Sequence, residues 1–289
     1  MRRPKKPVGK PAPVRAKKGT NAVRMSWPRY QNRNGSFSDE YQAFQRDISV
    51  CYDLVRIGSK IVGRHLKLHM VLERDGGARP CTDNTNIWIP KMHPARRIST
   101  KHELSHIYFD SDIALRAAFL EDMLDTIEND AGVSFKVHVR NALLNWLAFF
   151  VNILDDARVD SLWGLMYPGD GTEREEYCKE HILPAQWAKA TVTFPDGDID
   201  HIFTFAILLL LGADVESTRW GDMKEDILET LEKVYYTEFK ASLIIMKELV
   251  YKVAKRLAEM TKEAEEEKEK NEQEEENEQE EETPCMPAD

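Results

Sequence analysis

The chain has 289 residues, 42% hydrophobic and 31% charged, with a formal net charge of −10 and four cysteines. That length suits one large domain or two small ones. The cysteines (Cys51, Cys81, Cys178, Cys285) are too few and too scattered for a disulfide framework, and point to a reducing, intracellular setting.

Charge is strongly segregated. Residues 1–38 carry eleven Lys or Arg and no acid, whereas residues 263–289 carry fourteen acids and two Lys. We expect a disordered basic arm over 1–35, a folded, mildly acidic domain over 36–262 and a disordered acidic tail over 263–289, with the last helix running at most a turn or two into that tail. Residues 1–20 of the arm, rich in Pro, Lys and Arg, have no apolar surface to bury, and a polybasic segment of this kind can bind nucleic acid. It lacks the apolar run of a signal peptide. The longest apolar stretch, Ile202 to Leu211, is too short to span a bilayer and reads as a core helix. These features lead us to expect a soluble, cytoplasmic protein with no membrane association.

Within the domain, Ser36 and Asp39 have capping-box spacing. A helix over 39–57 follows, with Tyr41, Phe44, Ile48, Cys51, Tyr52 and Val55 on one stripe. From His65 to Leu72 the pattern alternates with period two, a strand. Asp75-Gly76-Gly77 is a turn, and Thr85 to Pro90 is a second strand, expected to pair antiparallel with the first. The remainder reads as helix, at 97–110, 112–129, 135–166, 174–190, 199–212 and 222–262. Ser99 and Ser134 are expected as N-caps. Pro168-Gly169-Asp170-Gly171 and Pro195-Asp196-Gly197-Asp198 are expected as turns. The fold class is therefore α+β and predominantly helical, with a small antiparallel sheet.

One motif carries chemistry. His102-Glu103-Leu104-Ser105-His106 is H-E-x-x-H, and on a helix positions i and i+4 lie one above the other. Both imidazoles can then reach one metal ion, zinc being suited to two histidines, a carboxylate and an open position. Glu103 lies one step round the helix, in reach of a water at that position, and is the candidate general base. No third histidine follows at metzincin spacing. The best source of a third ligand is Asn152-Ile153-Leu154-Asp155-Asp156-Ala157-Arg158-Val159-Asp160, whose acids sit in an apolar helix where charge needs partners. Asp156 and Asp160 share a face, so one can ligate while the other orients a histidine. Tyr108, Arg158 and Tyr167 are candidates for stabilising an oxyanion, and spacing selects none of them. His65 and His69 fall in a strand pattern and do not converge on one metal.

Taken together, Lys101–Asp112 (KHELSHIYFDSD) and Asn152–Asp160 (NILDDARVD) resemble the zincin-type, gluzincin-like domain of viral and bacterial metallopeptidase-like proteins related to the cobaltochelatase T subunit. Thr82-Asp83-Asn84 and Ile87-Trp88-Ile89-Pro90 match that group's preceding strand, and the resemblance covers residues 80–165. It implies a zinc peptidase with His102, His106 and Asp156 as ligands, Asp155 as the alternative third ligand, Asp160 behind them and Glu103 as catalytic base. Ser111 stands where that group has Thr, and Asp155 and Asp160 where it has Glu. The shorter acids leave the choice between Asp155 and Asp156 open. The expected reaction is zinc-dependent hydrolysis of a peptide or protein substrate, with the Thr85–Pro90 strand beside the cleft to pair with it. The alternative is a non-hydrolytic, metal-stabilised scaffold. The resemblance also raises an AAA-type ATPase or a von Willebrand A-type protein as partner, since larger relatives continue into such a module, and host cytoplasm as the location if the chain is virus-encoded.

Overall fold

A computed structural model of the chain describes residues 39–72, 79–132 and 134–281. The chain divides into two units, residues 1–46 and 47–289. The described part of the first is the opening of helix α1 (Asp39–Ile61), where the rings of Tyr41 and Phe44 lie 6.5 Å apart. Everything below concerns the second unit. The Ser36 cap, the Asp75–Gly77 turn and the arm over 1–35 lie outside the described residues.

The alternating segment forms β1 (Lys67–Val71), with Leu68 turned inward, and the TNIWIP segment forms β3 (Asn86–Pro90), with Ile87 and Ile89 fully buried. A two-residue strand, β2 (Cys81–Thr82), completes a sheet of order β1-β3-β2. The expected antiparallel pairing of the first two strands is wrong: β1 and β3 run parallel, and it is β2 that pairs antiparallel with β3. β2 reverses into β3 through a tight connection, where Asn84 takes a positive φ of 70° and the Asp83 carboxylate accepts from the Thr85 and Asn86 amides. That reversal takes up the antiparallel place, and β1 joins β3 on its other side. The sheet is therefore mixed, and β3, paired on both edges, has no free edge for a substrate, whereas the outer edge of β2 pairs with no other strand among the described residues.

Helices follow: α2 (Arg96–Tyr108), α3 (Ile113–Ala131), α4 (Val137–Met166), α5 (Pro168–Tyr177), α6 (Leu183–Thr193), α7 (Ile202–Leu210), α8 (Lys224–Val234) and α9 (Phe239–Glu281). Ser99 lies inside α2 and Ser134 two residues before the cap of α4, so neither is an N-cap; the capping side chain is Asp112, which accepts from the Leu115 amide. Pro168 to Gly171 is no turn either. Proline is tolerated in a first helical turn, and these residues open α5. One expected helix, 174–190, continues from α5 through a π-helical turn at Cys178–Ile182 into α6. Another, 222–262, is interrupted between Val234 and Phe239, and its second part continues to Glu281.

α4 is the axis of the molecule. It is long and apolar enough to cross a membrane by length and composition alone, but α2, α3, α5, α7, α8 and α9 pack against it. Its residues Leu143, Leu147, Phe150, Val151 and Leu154 are fully buried in the larger core. A smaller core joins Cys51 and Val55 of α1, the inner face of the sheet, and Leu104 and Ile107 of α2. α2 thus lies between two cores. With about 100° per residue, the face carrying Leu104 and Ile107 is turned away from the one carrying His102 and His106, which meets α4.

α4 and α5 cross closely. A β-carbon built on Gly171 would stand 2.7 Å from the Gly164 α-carbon, whereas one on Gly169 meets nothing within 4 Å. Gly171→Ala should therefore push α5 off α4 and lower stability by about 1–3 kcal/mol, the cost of overpacking, while Gly169→Ala stays within about 1 kcal/mol of wild type. Denaturant unfolding of the two variants checks this, and equal stabilities would contradict the close crossing.

Candidate metal centre

α2 starts after a five-residue turn, 91–95, that follows the end of β3 at Pro90. Arg96 anchors it, donating to the carbonyls of Lys91 and His93 and to Asp47 of α1 at 2.8–3.0 Å. This fixes the face that His102 and His106 present to α4, which carries the acids in an i, i+1, i+5 set.

The atoms able to bind a metal on His102, His106 and Asp156 all lie within 4.8 Å of one another. Asp156 Oδ1 is 3.1 Å from His106 Nε2 and 3.5 Å from His102 Nε2. The far side of each ring is held by a different carboxylate. His102 Nδ1 donates to Asp160 at 2.8 Å, and the other oxygen of Asp160 accepts from Arg174 Nε at 3.0 Å. His106 Nδ1 donates to Asp155 at 3.1 Å. A carboxylate behind Nδ1 fixes the ring so that Nε2 faces the shared centre, an arrangement typical of histidine metal ligands.

Asp155 is thereby committed elsewhere. It is fully buried and accepts from Arg158 Nε and from the Ser111 hydroxyl, both at 2.6 Å. The two neighbouring aspartates point about 100° apart around α4, and the one that faces the open centre is Asp156. Its remaining contact is the amide of Asn152, which donates at 3.2 Å. Asp160, one further turn along, lies behind His102.

The donor set suits a divalent cation. Glu103, Asp155, Asp156 and Asp160 face Arg158 and Arg174, so with neutral imidazoles the cluster has two formal negative charges to spare. Without a metal, protons fill that role. Burial works against a charged His102, but the charge of Asp160 and the hydrogen bonds of Asp156 and Asp160 outweigh it and raise its pKa to about 10. Burial opposes charge on His106 as well, and its bonds to Asp155 and Asp156 raise it to about 9. Burial also pushes Asp156 up, yet the two rings more than reverse this and hold it well below the usual carboxylate range.

Glu103 differs from the rest. It is 6% exposed, and its carboxylate makes no hydrogen bond among the described residues but keeps some contact with solvent. Burial raises its pKa, only partly offset by the nearby histidines. It lines a cavity of about 1170 Å³ together with His102, His106 and Asp156. Of the residues considered for oxyanion stabilisation, none lines that cavity: Arg158 is sealed in the core, and Tyr108 and Tyr167 both pack on Trp163. Tyr235 and Tyr236 do line it. They sit in the break between α8 and α9, with Tyr236 at a positive φ of 60°, and no Gly or Pro in the sequence flags that break. Arg174 was equally invisible, because nothing in its local pattern separates it from a solvated helix face.

Metal entry must displace both imidazole protons, so affinity should rise with pH as the histidines approach their pKa values from below, by up to about 100-fold per pH unit near neutrality. Competition against a chromophoric chelator measures this, and a flat pH profile would refute the two-proton exchange. Asp156→Ala should lose metal yet fold. Asp160→Ala should weaken binding by roughly 10–100-fold. Asp155→Ala should instead destabilise the fold by about 3–5 kcal/mol, because it strands Arg158. Metal content and thermal unfolding separate the three; metal loss in Asp155→Ala alone would place the ligand one residue earlier. Comparison with protein-family models, curated proteins and solved structures finds no match, so these assignments rest on the site itself.

Proposed function

We propose that the chain is a zinc-dependent peptidase built on a gluzincin-like plan, with His102, His106 and Asp156 as ligands and Glu103 as general base. The observation that carries this reading is the state of Glu103. Taking most of a carboxylate out of water without giving it a partner is costly, and a site that merely staples the fold together has no use for one. A general base has that use: a carboxylate of raised pKa beside the ligands, open to the cavity, is placed to take a proton from water.

A zinc ion in this set supplies Lewis acidity, acidifying water and polarising a carbonyl. The protein does the rest. Asp160 and Asp155 keep the two imidazoles oriented and basic. Glu103 accepts the proton of the attacking water and hands it to the departing amine. The exposed edge of β2 borders the cavity at Cys81 and Thr82 and offers backbone groups to an extended peptide. The resemblance of residues 80–165 to zincin-type domains points the same way. The scaffold alternative leaves the unpaired Glu103 without a role.

Glu103→Gln keeps size and polarity but cannot accept the proton. We expect metal content and melting temperature to stay at wild-type values while hydrolysis falls by about 100-fold or more. The assay is a mixed peptide library read by mass spectrometry. A metal-loaded wild type that cleaves nothing beyond the Glu103→Gln background would overturn the peptidase reading in favour of the scaffold.

A further inference from the structure

On the side of the cavity formed by α3, α4 and α7, one cation stands apart. Arg116 of α3 is half-buried, lines the cavity and donates from Nη1 to the side-chain oxygen of Asn152 at 2.8 Å. It pairs with no carboxylate among the described residues. The other cations of the cavity are engaged, apart from exposed Arg79 at its rim: Lys101 with Asp170 and Glu173, Arg174 with Asp160, and Lys179 with Glu175. A guanidinium has five N–H donors in a planar fork, matched to a carboxylate. Here a neutral amide takes up part of it.

Apolar side chains line the same cavity as Arg116. Ile113 and Phe149, each three residues before Arg116 or its partner Asn152 on their helices, remain 39% and 38% exposed, and the half-buried Ile207 and Leu210 of α7 line the cavity as well. Apolar side chains left open beside an unpaired guanidinium form a surface for a ligand carrying both a carboxylate and an apolar group.

The position of this surface is set by Asn152, whose amide bridges Arg116 and the ligand Asp156. The guanidinium is thus two hydrogen bonds from the metal centre, about one to two residues of extended chain. Building on the peptidase reading above, we propose that Arg116 and this wall bind a substrate carboxylate one or two residues beyond the scissile bond, together with the apolar side chain beside it. Two sources have this chemistry: the terminal carboxylate of a peptide ending in an apolar residue, and an internal Asp or Glu. With the former, water adds across a bond near the C-terminus, its hydroxyl going to the carbonyl carbon and its proton to the leaving amine, and an amino acid or dipeptide departs.

Binding tests this without turnover. The full chain carrying Glu103→Gln is loaded with zinc and titrated calorimetrically with N-acetyl-Ala-Ala-Phe-Leu as the free acid, as its C-terminal amide, and as an amide with Asp in place of Leu. We expect the free acid, the Asp-bearing amide or both to bind at least about tenfold more tightly than the plain amide, the scale of one charge-assisted contact; which one does so identifies the source. Adding Arg116→Gln should abolish that difference with zinc content unchanged, and Arg116→Lys should restore part of it. Equal binding of all three peptides, or a preference that survives Arg116→Gln, would overturn the inference. A separate outcome bears on the chemistry: Arg116-dependent binding by a zinc-loaded wild type that cleaves no peptide supports this site and refutes the peptidase, whereas cleavage indifferent to carboxylates does the reverse.

Discussion

Asp155 and Arg158 lie together at zero exposure, and most of the architecture meets at this pair. Taking a carboxylate and a guanidinium out of water costs several kcal/mol per ion, offset only when nearly every donor and acceptor finds a partner. Here they do. Beyond Asp155, Arg158 donates to the Ser111 hydroxyl and to the carbonyls of Phe109 and Thr237, and its guanidinium lies 5.2 Å from the ring centroid of Phe239. Asp155 receives Ser111 and His106. One ion pair thus fixes the end of α2, the α2–α3 turn, α4 and the start of α9 relative to one another.

The same pair reaches the candidate metal centre through a single bond, from Asp155 to His106. The orientation of that imidazole is therefore secured by a fully buried ion pair rather than by a surface contact. His102 is held more peripherally, through Asp160 and Arg174, and Arg174 depends on α5 staying close against α4. The two histidines have equivalent roles but unequal supports, one in the core and one on an added helix. α5 is also tied to α2 by Lys101, which reaches Asp170 and Glu173.

The arrangement separates tasks among like residues. Four carboxylates surround two imidazoles, and their environments set them apart. Asp155 is sealed and paired with a guanidinium. Asp160 is half-buried behind a ring. Asp156 faces the shared centre. Glu103 faces the cavity with no partner. Position around two helices, not residue type, distributes these roles. The cavity in front is asymmetric as well, with the β2 edge on one side and the apolar wall carrying Arg116 on another.

The sequence by itself determined what depends on local periodicity. H-E-x-x-H puts two histidines on one face of any helix that forms there. The apolar run from Leu143 to Phe150 followed by three acids signals a buried helix whose charges need partners. Most helices and the two longer strands were legible for the same reason, since side-chain period is a property of a few neighbouring residues. Only the tertiary structure put Asp156 rather than Asp155 beside the two histidines, because that depends on how α4 is rotated about its axis, which is set by packing against six other helices. Only it gave β1 and β3 their parallel pairing, since alternation marks a strand but not its partner. Arg174 and Arg116 lie on helical stretches that read as ordinary surface, and they enter the cavity because α3 and α5 pack beside α4. Their local sequence contains no trace of those distant contacts.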